Sequence, residues 1–492
     1  MTSTSERRRS GLTLALLAFA QFVIAIDYNI VYVALPDIGD KLGFSAQSLQ
    51  WVVSAYAVAF GGFLLFGGRA VDRIGGRRVF LAAFAVYGAA SLVGGLSTGS
   101  GLLIAARAAQ GLGAALLFPA TLTLIFLAFP EGPGRTRALA VWGGSGSAGL
   151  AAGALLGGVL TDWFGWPAVF LINVPLAVVA MAVAPRLLPA DRPQPGRRGG
   201  FDLPGALLVT IAVSVFVFGI ASGPDAGWLS TRGAGAIAVG VLGVALFALR
   251  EARVASPLMP LRMFRVRSLS VTLVVIFIFM GALSTEYYLF TQYVQGVLKY
   301  DALHAGFAFL PLGLFSVVGA GPLSTAAARR FGMRTTLAVG MAGVAAGTAL
   351  IAAGMAVGGS YWAMVPAITV WGLLGGMTFA TMYASAAVGV DPAEQGVASA
   401  LASTAQQVGG AVVLAILVAV ANAGLDTHSG HAVPAAALVH GFRTASWVTA
   451  VAALGGALVA LGLRRAGALA QGSDKSESGT DAEEPLAVAV SN

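Results

Sequence analysis

Residues Phe22 to Pro36 read FVIAIDYNIVYVALP, an apolar stretch interrupted by a single carboxylate, Asp27. The stretch belongs to a longer apolar run, residues 12–36, and about 20 such residues in a helix cross the ~30 Å core of a bilayer. Lipid cannot satisfy free backbone groups, so a spanning segment must be a helix or a strand of a closed barrel. Barrel strands alternate polar and apolar residues, and this run does not. It therefore predicts a transmembrane helix that carries a buried acid.

The whole chain shares this composition. Its 492 residues are 57% hydrophobic and 10% charged, whereas soluble domains carry about 25% charged residues. The net charge of +8 could suggest nucleic acid, but the basic residues lie in short loops, so we expect a lipid bilayer as the partner and no nucleic acid. The chain has no cysteine, which excludes disulfides and thiolate chemistry. These features predict an all-α polytopic membrane protein.

We predict fourteen transmembrane helices, joined by gaps too short to house a soluble catalytic domain. With the amino terminus in the cytoplasm, lysine and arginine concentrate on the cytoplasmic side, as the positive-inside rule requires. Of the 29 Lys and Arg residues, Arg107 lies within a predicted span. Only four are predicted to lie outside the cell: Lys41, Arg232, Lys299 and Arg443. Both termini are therefore predicted to be cytoplasmic. The low lysine and high alanine and glycine content suggests a GC-rich bacterial gene, so we expect the bacterial cytoplasmic membrane.

Three ionisable residues lie well inside predicted spans: Asp27, Arg107 and Glu286. Charges at this depth are costly and usually mark a pathway or a proton relay. At 1.5 Å per residue, all three fall at a comparable depth in the outer half of the bilayer. Asp27 and Arg107 could form a structural ion pair. Alternatively, the carboxylate of Asp27 or of Glu286 could exchange protons, with Arg107 tuning the pKa of a carboxylate. Glu286 could also pair directly with a cationic substrate.

Several motifs resemble those of the major facilitator superfamily. GGRAVDRIGGRRVF resembles its loop signature at these positions: Gly68, Asp72, Arg73, Gly75, Arg77 and Arg78. LIAARAAQGLGAA resembles its fourth-span motif, with Arg107, Gln110 and Gly111 in register. IDYNIVYVALP resembles the first-span motif of the 14-helix drug:proton antiporter branch, which makes Asp27 the acid of that motif. The resemblance extends over nearly the whole chain.

The loop signature has a physical rationale. Asp72 lies at a helix end, and the glycines that follow permit a tight turn. The arginines can then reach carboxylates or carbonyl groups of neighbouring helices. Such a cluster could latch one conformation shut, or it could only anchor the topology.

A stripe of glycines marks the fifth span. Gly149, Gly153 and Gly157 share one helix face, with Gly158 beside them. Small residues at this spacing allow close helix packing, which is one interpretation. The resemblance implies a second, a hinge motif of antiporters, although Ala154 stands where that motif has its kinking proline.

The resemblance implies the major facilitator fold, two six-helix lobes with two inserted helices between them. The predicted units are a cytoplasmic tail 1–11, an amino-terminal lobe 12–190, a linker with the inserted helices 191–267, a carboxy-terminal lobe 268–465 and a disordered tail 466–492.

The resemblance also implies that spans 1, 4, 9 and 12 line the cavity. The predicted substrate-binding residues are Asp27, Glu286, Tyr287, Phe290, Trp371, Met377, Phe379, Met382 and Tyr383. A wall rich in aromatic and methionine side chains can adapt to varied apolar ligands. Gln406 and Gln407 could serve the pathway or bond between helices.

The expected function is proton-coupled export of amphipathic drugs or antibiotics by alternating access. A dedicated exporter of one metabolite or peptide, and a membrane sensor, are the alternatives. We expect a monomer whose partners are protons and a small amphipathic substrate, with no enzymatic activity, cofactor or metal. His428, His431 and His440 share an outer loop, where solvated residues are the simpler interpretation and a zinc site the other.

Overall fold

The computed structural model describes residues 4–129, 133–191, 202–254, 257, 261–386, 388–390, 395–423 and 433–463. These residues form helices joined by turns, with no strand among them. Ten of the helices that they form are long and apolar enough to cross a membrane. Three shorter apolar segments, Trp51–Leu64, Ala152–Phe164 and Pro204–Ile220, add to these. The predicted all-α membrane class is therefore confirmed.

The first ten α-helices are α1 (Thr4–Leu42), α2 (Ala46–Leu49), α3 (Trp51–Ile74), α4 (Gly76–Gly95), α5 (Ser100–Ala128), α6 (Pro133–Phe164), α7 (Ala168–Leu171), α8 (Asn173–Leu187), α9 (Leu203–Ala226) and α10 (Ala236–Glu251). The others are α11 (Arg267–Gln292), α12 (Ala302–Ala308), α13 (Leu310–Val318), α14 (Ser324–Gly354), α15 (Tyr361–Ala386), α16 (Gln395–Ala421) and α17 (Ala435–Ala460). Single π-helical turns occupy Thr231–Gly235, Tyr293–Val297 and Gly319–Leu323.

The helices pack as two groups with a pair beside them. In the amino-terminal group, α1 to α8, α1 packs on α6, α3 on α5, and α4 on α5 and α8. In the carboxy-terminal group, α11 to α17, α11 packs on α16 and α17, and α14 on α15 and α17. The pair α9 and α10 lies between them in sequence, and α9 contacts both α3 and α16. Helix α1 begins inside the predicted tail 1–11, while the predicted tail 466–492 lies outside the described residues.

The glycine stripe on α6 sets a close approach to α1. A Cβ atom at Gly149, Gly153 or Gly157 would lie 2.5–2.8 Å from a backbone carbonyl oxygen of α1. At Gly158 it would lie 2.6 Å from the carbonyl oxygen of Ala302, which belongs to the other group. Helix α6 continues without a break through Ala154, so the stripe packs a continuous helix against α1.

A salt bridge ties α9 to α10 at one end of this pair. The Asp202 carboxylate accepts a hydrogen bond from the backbone N–H of Gly205 at 2.9 Å and so caps α9. Arg250 Nη2 lies 2.7 Å from Asp202 Oδ1. The hydrogen bond from Arg250 lowers the pKa of Asp202. The salt bridge therefore holds α9 and α10 together as a helical hairpin.

Candidate functional site

Asp27 and Arg107 form a salt bridge inside the amino-terminal group. Arg107 Nη1 lies 2.8 Å from Asp27 Oδ2, and the side chains are 1% and 0% exposed respectively. Arg107 Nε donates to the carbonyl oxygen of Val52 at 2.7 Å, and its guanidinium carbon lies 4.4 Å from the ring centre of Tyr56. The guanidinium of α5 is thus held by α1 and α3 together.

Amide side chains complete the surroundings of this pair. Asn173 Nδ2 donates to Asp27 Oδ1 at 2.8 Å, and Gln110 Nε2 approaches the same oxygen at 3.3 Å. Gln110 Nε2 also donates to Ser91 Oγ at 2.8 Å, while its Oε1 accepts from Arg107 at 3.0 Å. Buried charges are tolerated when they are paired and hydrogen-bonded. Asp27 meets both conditions, in a network that joins α1, α4, α5 and α8.

Glu286 on α11 has different surroundings. Its side chain is buried, at 4% exposure, and neither carboxyl oxygen makes a hydrogen bond within the part of the chain that the structure describes. Ser446 of α17 is the polar residue that faces it, and the Ser446 hydroxyl likewise makes no hydrogen bond of ordinary geometry to a described residue. The acid therefore lies between α11 and α17.

A cavity of about 800 Å³ lies between the two helix groups, within the ~300–1,000 Å³ range of small-molecule sites. Six aromatic side chains contribute to its wall: Tyr28, Phe60, Phe118, Trp142, Phe379 and Tyr383. Four polar side chains join them: Gln21, Ser403, Gln406 and Gln407. The cavity can hold an amphipathic molecule of drug size.

The cavity lies towards one end of the helix bundle. Its lining includes residues from the second halves of α5 and α15 and from the first halves of α6 and α16, together with residues of α1, α3, α11 and α13. Gly149 to Gly157 of α6 lie against Phe22 to Ile30 of α1 in the same order, so the two helices run in the same direction and the first half of α6 lies at the end where α1 begins. The cavity is therefore displaced towards the end that carries the amino terminus.

Direct contacts join the two groups beyond the cavity. The Tyr28 and Ser284 hydroxyls are 3.0 Å apart, and Gln295 Nε2 donates to the carbonyl oxygen of Val33 at 2.8 Å. The close approach of Gly158 to α12 lies at the same end. These contacts close the far end of the bundle over the cavity.

Some of the predicted substrate residues line this space. Phe379 and Tyr383 line the large cavity. Tyr287 and Trp371 line, with Phe379, a neighbouring void of about 70 Å³. The indole N–H of Trp371 donates to Thr348 at 3.0 Å, which fixes its ring against α14. The structure thus brings part of the predicted aromatic wall together.

The other predicted substrate residues lie elsewhere. Phe290 packs edge-on against Phe309, with ring centres 5.0 Å apart, and Met377 and Met382 are buried at 2% and 0% exposure. Among the described lining residues of either cavity, neither Asp27 nor Glu286 is present. The two acids therefore lie behind the cavity wall rather than on it.

Four aromatic lining residues were not predicted from the sequence: Tyr28, Phe60, Phe118 and Trp142. Tyr28 follows Asp27 directly, and a step of one residue turns a helix by about 100°, which brings Tyr28 to the cavity while Asp27 faces the helices behind. Trp142 stacks edge-on against Phe118 at 5.2 Å and donates to Thr121 at 3.2 Å. Helical periodicity could have indicated Tyr28, whereas the other three depend on how α3, α5 and α6 are rotated.

The predicted latch occupies the turn between α3 and α4. Gly75 ends α3 with φ of 104°, a backbone conformation that favours glycine. The carboxylate of Asp191 accepts hydrogen bonds from the backbone N–H groups of Arg77 at 3.0 Å and Arg78 at 2.9 Å. The turn therefore holds a carboxylate through backbone amides at the start of α4.

The remaining predicted latch residues are Gly68, Asp72 and the side chains of the three arginines. Arg73 and Arg78 present exposed side chains, and a Cβ atom at Gly68 would meet open space. The side chain of Asp72 lies outside the described part of the structure.

The predicted histidine loop is only partly described. His440 is exposed, and His428 and His431 lie outside the described residues. Within the described chain, no group of three or more His, Cys, Asp or Glu residues is arranged to hold a metal ion.

The geometry defines a membrane transporter, and comparison with known proteins gives its family. Residues 17–414 match the model of the Major Facilitator Superfamily, and the chain belongs to that superfamily. Its fold resembles the crystal structure of the POT family transporter PepTSo, with a TM-score of 0.67, 16% sequence identity, and coverage of 96% of this chain and 99% of that chain.

Three bacterial relatives are similar along most of their length. The cephamycin export protein CmcT of Amycolatopsis lactamdurans is 37% identical over 86% of this chain and 87% of its own. The puromycin resistance protein pur8 of Streptomyces alboniger is 37% identical over 88% and 86%. The lincomycin resistance protein of Streptomyces lincolnensis is 35% identical over 87% of each. The chain is a multi-pass transporter of the bacterial cytoplasmic membrane.

Proposed function

We propose that this protein exports amphipathic drugs or antibiotics in exchange for protons, by alternating access. The observation that carries the proposal is the cavity of about 800 Å³, which both helix groups line and which contacts between the groups close at one end. Transporters of this kind hold their substrate between two lobes that rock about the site. The names of the relatives, two of them antibiotic resistance proteins and one an export protein, support the substrate class.

The topology follows from the helix lengths. We infer that the run Ala302–Gly354, 53 residues long, holds two spans, because it would reach roughly 80 Å at 1.5 Å per residue. It bends at Gly332, which has a φ of 78°. With the three shorter apolar segments, the spans then number fourteen. The helix groups are the lobes 12–190 and 268–465, and α9 and α10 are the inserted helices in the linker 191–267.

The orientation follows from the basic residues. The predicted topology puts most Lys and Arg residues on the same side as the amino terminus, which supports a cytoplasmic location for this end and for both termini. The cavity then faces the cytoplasm and the closed end faces outward. We infer from this orientation an inward-facing state, in which cargo enters from the cytoplasm or from the inner leaflet.

The two buried acids, Asp27 and Glu286, have different roles in this proposal. Asp27 already accepts three hydrogen bonds, from Arg107, Gln110 and Asn173, so its charge has a fixed structural use. Among the described residues, the carboxyl group of Glu286 faces Ser446 but makes no hydrogen bond of ordinary geometry, so it is available to take up and release a proton as the lobes move. We therefore propose Glu286 as the main proton-coupling residue. Arg107 and Asp27 would transmit movement of the cavity helix α1 to the rest of its lobe.

The glycine stripe of α6 and the turn at Gly75 lie at contacts within and between the two lobes that move during transport. Gly149, Gly153 and Gly157 hold α6 against α1 within one lobe. Gly158 forms part of the outer contact between lobes, which must separate when the site opens outward. The turn around Gly75, with its bound carboxylate, lies at the opposite, cytoplasmic end.

One observation favours a narrower function, dedicated export of a single metabolite. The names of the relatives each refer to one compound, such as cephamycin or lincomycin. Growth inhibition by unrelated toxic compounds distinguishes the two. Protection against many compounds indicates a multidrug exporter, and protection against one indicates a dedicated exporter.

The test of proton coupling uses purified protein in liposomes, oriented so that an acidic interior drives uptake of puromycin or lincomycin. We expect Glu286→Gln to abolish uptake driven by the pH gradient and to retain exchange of labelled for unlabelled substrate. Ser446→Ala, which removes only the facing hydroxyl, is the matched control and should retain gradient-driven uptake. Full gradient-driven uptake by Glu286→Gln would remove Glu286 from the mechanism.

A further inference from the structure

The side chain of Tyr28 on α1 belongs both to the cavity wall and to the contact between the two lobes. Tyr28 lines the large cavity, and its hydroxyl oxygen lies 3.0 Å from the hydroxyl oxygen of Ser284 on α11. The two residues are 8% and 1% exposed, so this hydrogen bond between the lobes is shielded from water. Cargo in the cavity therefore packs against a side chain that also holds the lobes together.

Other contacts that join α1 to the carboxy-terminal lobe lie further along the helix. The ring centres of Tyr32 and Tyr287 are 5.5 Å apart, and Gln295 donates to the carbonyl oxygen of Val33 at 2.8 Å. Val33 lies roughly 7.5 Å beyond Tyr28 along the axis of α1, at 1.5 Å per residue. Among the described lining residues of the large cavity, Tyr32, Tyr287, Gln295 and Val33 do not occur. The Tyr28 bond is therefore the member of this series that lies at the cavity wall.

The ring of Tyr28 is packed from both lobes. It makes an edge contact with Tyr56, with ring centres 6.3 Å apart, and the guanidinium carbon of Arg107 lies 4.4 Å from the ring centre of Tyr56. From the other lobe, a Cβ atom at Gly410 of α16 would lie 2.9 Å from Ser284 Oγ and 3.4 Å from the Tyr28 hydroxyl oxygen. Because packed interiors transmit displacements, a shift of the Tyr28 ring also moves its hydroxyl relative to Ser284.

We propose that Tyr28 is the residue through which bound cargo controls the outer closure, and that its hydrogen bond to Ser284 keeps the empty transporter from conducting protons. The inference deepens the proposed function and depends on it. Tyr28 acts through Ser284 and is therefore a positioning residue.

The two states of this contact differ in what they offer to cargo. A ligand shifts a conformational equilibrium only by its differential affinity for the two states. Here the difference is the additional contact that cargo makes when the Tyr28 ring turns towards it and away from Ser284. The outer contacts then separate. In the empty transporter the hydrogen bond holds, and Glu286 cannot exchange its proton with the outside.

The test measures proton leak into liposomes that contain the purified full chain and no cargo. A pH gradient is imposed, valinomycin and potassium compensate the charge, and trapped pyranine reports the internal pH. We expect Tyr28→Phe, which keeps the ring, to leak protons about fivefold faster than wild type, the shift that loss of one hydrogen bond produces, and still to bind puromycin. Ser284→Ala should leak likewise. The double variant should leak no faster than either single variant, because both remove the same bond.

Tyr293→Phe is the matched control. The Tyr293 hydroxyl donates to the carbonyl oxygen of Ala356 at 2.9 Å, so this variant removes a tyrosine hydrogen bond within one lobe and should not leak. Adding Glu286→Gln to Tyr28→Phe should abolish the leak, because the protons pass through Glu286.

Three outcomes would overturn the assignment of Tyr28 alone, provided that the wild-type chain transports cargo: no leak by Tyr28→Phe, an equal leak by Tyr293→Phe, or a leak that persists without Glu286. Absence of gradient-driven uptake of puromycin and lincomycin by the wild-type chain would overturn the proposed function itself.

Discussion

The carboxylate of Asp191 lies against Gly75: a Cβ atom at Gly75 would lie 2.2 Å from Asp191 Cγ. The segment that follows α8 thus docks on the turn between α3 and α4, where its carboxylate caps the first free N–H groups of α4. The negative charge also suits the positive end of the helix dipole. The turn signature is therefore fitted to a carboxylate from the start of the linker.

The first prediction concerns this cap. Gly75→Ala should lower the thermal unfolding midpoint in detergent, because the added methyl group meets Asp191 and φ is 104°. Asp191→Ala should cost about 1 kcal/mol, as loss of a helix cap usually does. Gly68→Ala, with open space around its Cβ, is the control. Equal midpoints for Gly75→Ala and Gly68→Ala would contradict the contact.

The second prediction concerns the buried ion pair. Arg107→Leu leaves Asp27 buried without its counter-charge, and removing one partner of such a pair typically costs about 3–5 kcal/mol. The double variant Asp27→Asn with Arg107→Leu should recover most of that loss, because no charge is left buried. Thermal unfolding in detergent compares the two. If the double variant is no more stable than the single one, the pair is not the source of the loss.

The third prediction separates two adjacent glycines. Gly157→Ala acts within one lobe, where its Cβ would lie 2.5 Å from the carbonyl oxygen of Ile30, and should lower stability. Gly158→Ala acts between lobes and should disfavour the outer closure. A cysteine at Gly144, a cavity position with no atom within 4 Å of its Cβ, reports the inward-facing state.

Because the natural chain has no cysteine, only this position reacts with a membrane-impermeant maleimide. Labelling from the cytoplasmic side should be slower in the Gly158→Ala background than in the Gly157→Ala background. The same labelling rate in both would show that Gly158 does not control closure.

The fourth prediction concerns acid sensitivity. The Arg250 hydrogen bond lowers the pKa of Asp202 below its usual value of about 3.9. A depressed pKa stabilises the folded state above the unfolded pKa, and that contribution disappears as pH falls through the folded pKa. Asp202→Asn should therefore be less stable than wild type at pH 7, and the difference should narrow below about pH 4. Unfolding midpoints measured from pH 7 to pH 3 check this, and a constant difference would contradict it.

Composition and span length were enough to predict the membrane class, because hydrophobic length and backbone satisfaction leave few alternatives. The depth estimate also brought Asp27 and Arg107 to one level, and the structure pairs them at 2.8 Å. The sequence left open whether that pair is structural or exchanges protons.

The direction of individual side chains could not be predicted in this way. Glu286 lies on a cavity helix but faces α17, because the rotation of α11 is set by its packing within the lobe. The contact between Asp191 and the turn at Gly75 joins segments far apart in the chain, and no local pattern encodes it. Met377 and Met382, predicted for the cavity wall, are instead buried in packing.

Helix α9 touches α3 in one lobe and α16 in the other. Its contact with α3 is close, since a Cβ atom at Gly62 would lie 2.4 Å from Thr210 Oγ1, and α16 contributes Ala411, Val412 and Ala415 to its other contact. We therefore expect the hairpin of α9 and α10 to move with the amino-terminal lobe and to slide along α16 during each transport cycle. Replacing Ala411 and Ala415 with bulky residues should slow transport without changing the cargo-binding cavity.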